Sequence, residues 1–187
     1  GVPAAIGYAE SVGKHVELGI IRNHYVGRTF IEPTQQIRSL GVKLKHNINK
    51  TLIKNKSLIL VDDSLVRGTT SIKIIKMLYE AGAKEVHLRI SSPPIKFPDY
   101  YGVDTPNQNE LLASKFDLEG MRKYINAASL KFLSIEGLYK AMGYENRNST
   151  YPQFTDHCFT GDYPIEPTDA NNKHLIKDEM SLMSTNQ

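Results

Sequence analysis

The sequence predicts an α/β fold with a mostly parallel sheet flanked by helices. Three observations predict it. Leu58–Val61 is a continuous apolar run followed by two acids, the pattern of a buried parallel strand that ends at an active edge. Thr69–Ala81 repeats Ile72, Ile75, Leu78 and Tyr79 at helical spacing, and Gly82 stands where a left-handed terminator belongs. Glu85–Ile90 alternates Val86, Leu88 and Ile90, the period of a strand.

The remaining elements follow in chain order. Pro3–Gly13 reads as a helix of small residues, with Pro3 in the first turn where its missing N–H costs nothing. Val16–Ile21 is rich in β-branched residues and reads as a strand. Arg22–Pro33 is a loop around Gly27, and Thr34–Lys45 is helical with Thr34 as its cap. Ser91–Pro106 is a proline-rich loop. Asn107–Ala113 and Leu118–Asn126 are short helices, Leu130–Leu133 a strand and Ser134–Met142 a helix. Beyond Gly143 the periodicity fades, and Asp162–Gln187 is polar enough to wrap a surface or stay disordered. The organisation expected is one domain over residues 1–145 and an extension over 146–187.

Composition removes several classes of protein. With 187 residues, 40% of them hydrophobic, the chain can bury a core of one domain. No apolar run approaches the ~18 residues of a membrane span, and no basic-then-apolar leader is present. A single cysteine, Cys158, excludes an intrachain disulfide framework and suits a reducing cytoplasm. A net charge of +3 is too small to argue for nucleic acid. Its distribution is more telling: no acid lies between Glu32 and Asp62, whereas Arg38, Lys43, Lys45, Lys50, Lys54 and Lys56 do. Such a stretch either attracts phosphates or is a solvated face.

The chemistry concentrates in Leu58-Ile59-Leu60-Val61-Asp62-Asp63-Ser64-Leu65-Val66-Arg67-Gly68-Thr69-Thr70-Ser71. In open α/β sheets, ligands bind beyond the carboxyl ends of strands. A helix start offers unpaired N–H groups and a partial positive charge, which favour a phosphate. Gly68 is expected to let the backbone approach phosphate oxygens without a Cβ in the way. Ser64, Thr69, Thr70 and Ser71 add hydroxyls. Asp62 and Asp63 would repel a bare phosphate, so sugar hydroxyls or Mg²⁺ are their natural partners. Together these parts imply a ligand with a ribose diol and a 5′-phosphate. There is no G-x-G-x-x-G, and no G-K-[ST] follows the glycine, so neither a dinucleotide fingerprint nor a Walker loop is present.

This segment resembles the phosphoribosyl pyrophosphate motif of type I phosphoribosyltransferases. Its R-G-T-T-S form is similar to that of the amidophosphoribosyltransferase family in particular. Asn23–Pro33 resembles the family's N-R-Y-x-G-R-T-F-I-x-P flexible loop, with His24 in place of its usual arginine. Ser91–Pro94, Tyr101–Asp104 and Cys158–Gly161 match as well, and the resemblance runs from Gly1 to about Pro167. It implies a type I phosphoribosyltransferase-like fold. It also implies that Asp62 and Asp63 serve the ribose hydroxyls and Mg²⁺, and that Ser64, Leu65, Val66, Arg67, Gly68, Thr69, Thr70 and Ser71 cradle the 5′-phosphate. Arg28 and Lys45, with Lys43 a weaker candidate, are assigned to the pyrophosphate.

The family reaction makes phosphoribosylamine from phosphoribosyl pyrophosphate and glutamine-derived ammonia, the committed step of purine synthesis. The resemblance therefore implies a cytoplasmic homo-oligomer with phosphoribosyl pyrophosphate as substrate. Neither nucleic acid nor a membrane is implied as a partner. The ammonia would come from a glutaminase domain absent from these residues. Gly1 reads as the middle of a larger protein, after the first strand of the transferase sheet, so the fold is expected to be N-terminally incomplete. Some family members hold an iron–sulfur cluster through four cysteines. Here Asp99 stands where one is usual, and one thiol cannot supply four ligands, so no cluster is expected. The six histidines are scattered without ligand spacing, which argues against zinc. The competing readings are another type I phosphoribosyltransferase and a non-catalytic regulator that binds phosphoribosyl pyrophosphate. The Tyr25–Pro33 loop weighs against the first, and the lack of a nucleic-acid-binding module against the second.

Overall fold

The computed structural model describes residues 1–22, 46–103, 105 and 107–165. The sequence-predicted elements Arg22–Pro33 (beyond its first residue) and Thr34–Lys45, and the tail from 166 onward, lie outside the described residues.

Three strands form the central sheet: β3 (Ser57–Asp62), β4 (Glu85–Ile90) and β5 (Ser129–Phe132), in the order β3-β4-β5. Both pairings are parallel, with Leu60 beside Leu88 and Leu88 beside Leu130. A smaller antiparallel pair joins β1 (Ile20–Arg22) to β2 (His46–Ile48). The helices are α1 (Val2–Ser11), α2 (Lys50–Ile53), α3 (Thr69–Glu80), α4 (Leu112–Lys115), α5 (Leu118–Tyr124), α6 (Ile135–Ala141) and α7 (His157–Thr160). A 3-10 turn, Gln108–Glu110, precedes α4.

The period-2 pattern of β4 decides which face is the core. Val86, Leu88 and Ile90 are buried and join Leu130 of β5, whereas Glu85 is exposed. Ile74, Ile75 and Leu78 of α3 and Met121 and Ile125, at the α5 end, cover that face. On the opposite face His87 and Arg89 share the Ser129 hydroxyl at 2.9 Å each, and Arg89 reaches Tyr8 of α1. At the end of α3, Gly82 adopts φ 92° while the Ala83 amide donates to the Leu78 carbonyl. That bond satisfies a carbonyl the helix would otherwise leave open.

Several boundaries differ from the sequence reading. β3 is less buried than its apolar run suggests, and Ile59 is 45% exposed. Among the described residues β3 pairs with β4 alone. Of Val16–Ile21 only the last two residues join a strand. Val16 and Leu18 are exposed, and no described strand pairs with them. Asn107–Ala113 splits at Leu111, whose extended backbone allows Leu111 and Leu112 both to be buried. α5 and α6 start where side-chain caps predict: Asp117 accepts from the Gly120 amide and Ser134 from the Gly137 amide.

Past Gly143, an ion-pair cluster holds the chain against the domain. Asp156, 3% exposed, accepts from Arg147 and from the Tyr139 hydroxyl at 2.9 Å. Arg147 also pairs with Asp162. Periodicity could not reveal this cluster, because polar side chains and not an apolar stripe secure it.

Candidate functional site

β3 delivers Asp62 and Asp63 to its carboxyl end, beyond which the chain turns into α3. The turn is anchored from several directions. The Ser91 amide donates to the Asp62 carbonyl at 2.9 Å, so the next strand's exit fixes the start of the turn. Leu65 is 2% exposed and sits in the core. The Leu112 amide donates to the Val66 carbonyl at 2.8 Å, and Arg67 Nε donates to Glu110 at 2.9 Å. Leu65 and Arg67 thus tie the turn down with their side chains. Any ligand contact from Leu65 would come from its main chain.

Gly68 caps α3 in the left-handed region, with φ 78°. A Cβ there would lie 3.1 Å from Leu112 and 3.5 Å from Ile125. A Cβ at Gly68 would thus point at core side chains. The space its missing Cβ leaves is filled by core side chains, so the left-handed conformation and the close packing both call for glycine here. Helix α3 opens immediately after it. Among the described residues no main-chain carbonyl accepts from the amides of Ser64 through Ser71, and the first helical acceptor is Gly68, bonded by the Ile72 amide. The first amides of α3 are the ones a helix start leaves without an intrahelical acceptor.

The acids differ in setting. Asp62 is half-buried and its Oδ1 accepts the Asp63 amide at 3.0 Å; Asp63 is exposed and accepts from the Ser64 hydroxyl at 3.3 Å. Ser71 is buried, Ser64 and Thr70 are half-buried, and Thr69 is exposed. The structure thus gathers Asp62 through Ser71 on one strand-turn-helix unit. Arg28, Lys43, Lys45 and the Asn23–Pro33 loop lie outside the described residues, as does Asp104 of the Tyr101–Asp104 match.

A second polar cluster escaped sequence reasoning. His157 Nε2 meets Asp99 Oδ2 at 2.7 Å, and Cys158 Sγ lies 3.7 Å from the same oxygen. The residues stand 58 and 59 positions apart in sequence, so no ligand spacing announced them. The departure at Asp99 was the only signal. Tyr101 and Tyr163 flank the His157 ring at centroid distances of 4.9 and 5.0 Å. Burial and the Asp99 carboxylate push the Cys158 thiol up to about 11. At pH 8 only about one thiol in a thousand is then ionised. With no metal present, Cys158 should react with a disulfide reagent at least about 100-fold more slowly in the folded protein than in denaturant. Labelling kinetics with and without urea check this.

A parallel sheet flanked by helices, with acids at a strand end and a helix starting after the next turn, is the frame of a phosphoribosyltransferase-like α/β protein. No protein-family model matches the sequence, but individual proteins do. The amidophosphoribosyltransferase of Rhizobium etli is 59% identical over 187 residues, which is 100% of this chain and 38% of that protein. Amidophosphoribosyltransferase 2, chloroplastic, of Arabidopsis thaliana is 53% identical over 173 residues, 92% of this chain and 30% of its own length. The solved structure of the glutamine phosphoribosylpyrophosphate amidotransferase of B. subtilis, complexed with ADP and GMP, superposes with a TM-score of 0.74 at 51% identity. The match covers 87% of this chain and 36% of that one. The chain belongs with the amidophosphoribosyltransferases and corresponds to the C-terminal part of those proteins. It spans 38% of the Rhizobium relative's length. No helix among the described residues is long and apolar enough to cross a membrane.

Proposed function

We propose that this chain carries the phosphoribosyl pyrophosphate site of an amidophosphoribosyltransferase, which joins ammonia to C1 of the sugar and releases pyrophosphate. One observation supports the reading above the others: two carboxylates stand at the end of β3, and the turn after them leads directly into the start of α3. The amides of Thr69, Thr70 and Ser71 receive the 5′-phosphate, aided by the helix dipole. Asp62 and Asp63 accept from the ribose hydroxyls. They also suit Mg²⁺, which takes one or two carboxylates and completes its shell with water and substrate oxygens. When bound, Mg²⁺ neutralises charge growing on the pyrophosphate. Arg28 and Lys45 are proposed to hold that pyrophosphate and help exclude water. Ammonia is itself nucleophilic, so no residue here needs to act as a strong base.

The reading extends to a cytoplasmic homo-oligomer, supplied with ammonia by a glutaminase part outside these residues. Residues 1–145 would be the transferase part and 146–187 its extension. The site is tested by titration calorimetry of phosphoribosyl pyrophosphate into the full-length protein, with and without Mg²⁺. Asp62→Asn and Asp63→Asn should each weaken Mg²⁺-dependent binding by roughly 10- to 100-fold, the worth of a charge-assisted bond. Asp63→Asn should shift stability by no more than about 0.5 kcal/mol, because the residue is exposed. Wild-type affinity in both variants would falsify the assignment.

A further inference from the structure

Asp99, His157 and Cys158 each offer one donor atom, and those atoms lie within 4.8 Å of one another. The His157 and Asp99 side chains are 4% and 8% exposed, while Cys158 is only partly covered. The two oxygens of Asp99 have separate tasks. Oδ1 accepts the main-chain amides of Tyr101 and Val103 at 2.8 and 3.0 Å, and Oδ2 faces His157 and Cys158. Backbone donors that fix one carboxylate oxygen and leave the other for a ligand are the outer-shell arrangement of protein metal sites.

We propose that Asp99, His157 and Cys158 bind a single divalent transition metal of the zinc class, with water as its fourth ligand. The donor set fits in kind, since zinc takes imidazole nitrogen, thiolate sulfur and carboxylate oxygen together. It fits in charge: a dication with one thiolate, one carboxylate and a neutral imidazole sums to zero, which suits a buried site. It fits in size as well. Tetrahedral ligands at zinc bond lengths put sulfur and oxygen about 3.6 Å apart and nitrogen and oxygen about 3.3 Å apart. The observed separations are 3.7 and 2.7 Å, so the His157–Asp99 pair must open, and the histidine nitrogen and the sulfur lie within 4.8 Å of each other. Binding breaks the S–H bond of Cys158 and forms a sulfur–metal bond, and the proton leaves to solvent. The metal would cross-link α7 to the segment around Asp99, which the main chain already joins through bonds from Lys96 and Phe97 to the Cys158 carbonyl. The inference does not depend on the transferase reading.

The test uses full-length protein stripped with a chelator and titrated with Co²⁺. One cobalt should bind per chain, with near-ultraviolet thiolate-to-metal charge transfer and the visible bands of a tetrahedral site. Added Zn²⁺ should displace it and raise the melting temperature. Cys158→Ser should abolish the charge-transfer band, and Asp99→Asn should weaken binding by on the order of 100-fold. If a variant does not fold, the wild-type titration decides by itself. Absent charge transfer with no Zn²⁺-dependent thermal shift overturns the proposal. A band that persists in Cys158→Ser does so too, and so does purified protein bearing iron and acid-labile sulfide.

Discussion

Replacing Arg147 by alanine should cost the folded state roughly 3 kcal/mol or more, with the midpoint of denaturant unfolding shifted accordingly. The expectation rests on asymmetry. Forming a buried ion pair gains little net energy, because both charges leave water; removing one partner leaves the other buried and uncompensated. Asp156 is that other partner, 3% exposed and unable to reach solvent, whereas the Arg147 side chain is 16% exposed. Burial raises the Asp156 carboxyl, but Arg147, Tyr139 and Thr160 together hold it below the ordinary value. A depressed carboxylate contributes stability that is complete above the unfolded value of about 3.9 and lost as pH falls through the folded one. Acid unfolding should therefore steepen below about pH 4, and Asp156→Asn should flatten that limb. An Arg147→Ala protein as stable as wild type, across pH 3 to 7, would show that the cluster contributes nothing.

Gly68→Val should be the most damaging single change in the turn. Valine at φ 78° is strained by its branched Cβ, at roughly 1–3 kcal/mol. The added carbon also meets Leu112 at 3.1 Å, within a packed cluster that cannot easily retreat. Overpacking of this kind costs a further ~1–3 kcal/mol. Because Gly68 also caps α3, relief of the strain would tilt the helix start and misaim its amides. The expected outcome is loss of stability together with loss of phosphoribosyl pyrophosphate affinity. Gly68→Ala should show a milder form of both. Calorimetry at a temperature where the variant remains folded separates the two effects. Full affinity in a folded Gly68→Val protein would mean that the amides after the turn do not hold the phosphate.

Much of the sheet was legible in the sequence because its elements carry strong periods. Glu85–Ile90 was delimited without error, and Thr69–Glu80 within one residue, since buried alternation and a helical stripe leave few alternatives. The motif from Asp62 to Ser71 was legible as a strand-turn-helix unit for the same reason. Gly68 has a packing role that the sequence did not show. A sequence shows that a glycine is present but not which neighbour crowds it, and Leu112 is distant along the chain. β3 is less covered among these residues than its apolar run suggests, because an apolar run reports hydrophobicity and not which neighbouring strands the described residues include. The Arg147–Asp156 and Asp99–His157 pairs were invisible for a third reason. Each joins residues whose meeting depends on tertiary structure, and charged side chains have no period.

That β3 has one strand neighbour among the described residues has a consequence for handling these residues by themselves. Its outer row of main-chain donors and acceptors is not engaged by any described strand, and the exposed Ile59 side chain lies on the same element. A row of this kind templates the addition of another chain. Prepared without further sequence to shield it, this stretch should self-associate edge to edge as its concentration rises, and a lysine at position 59 should suppress that association.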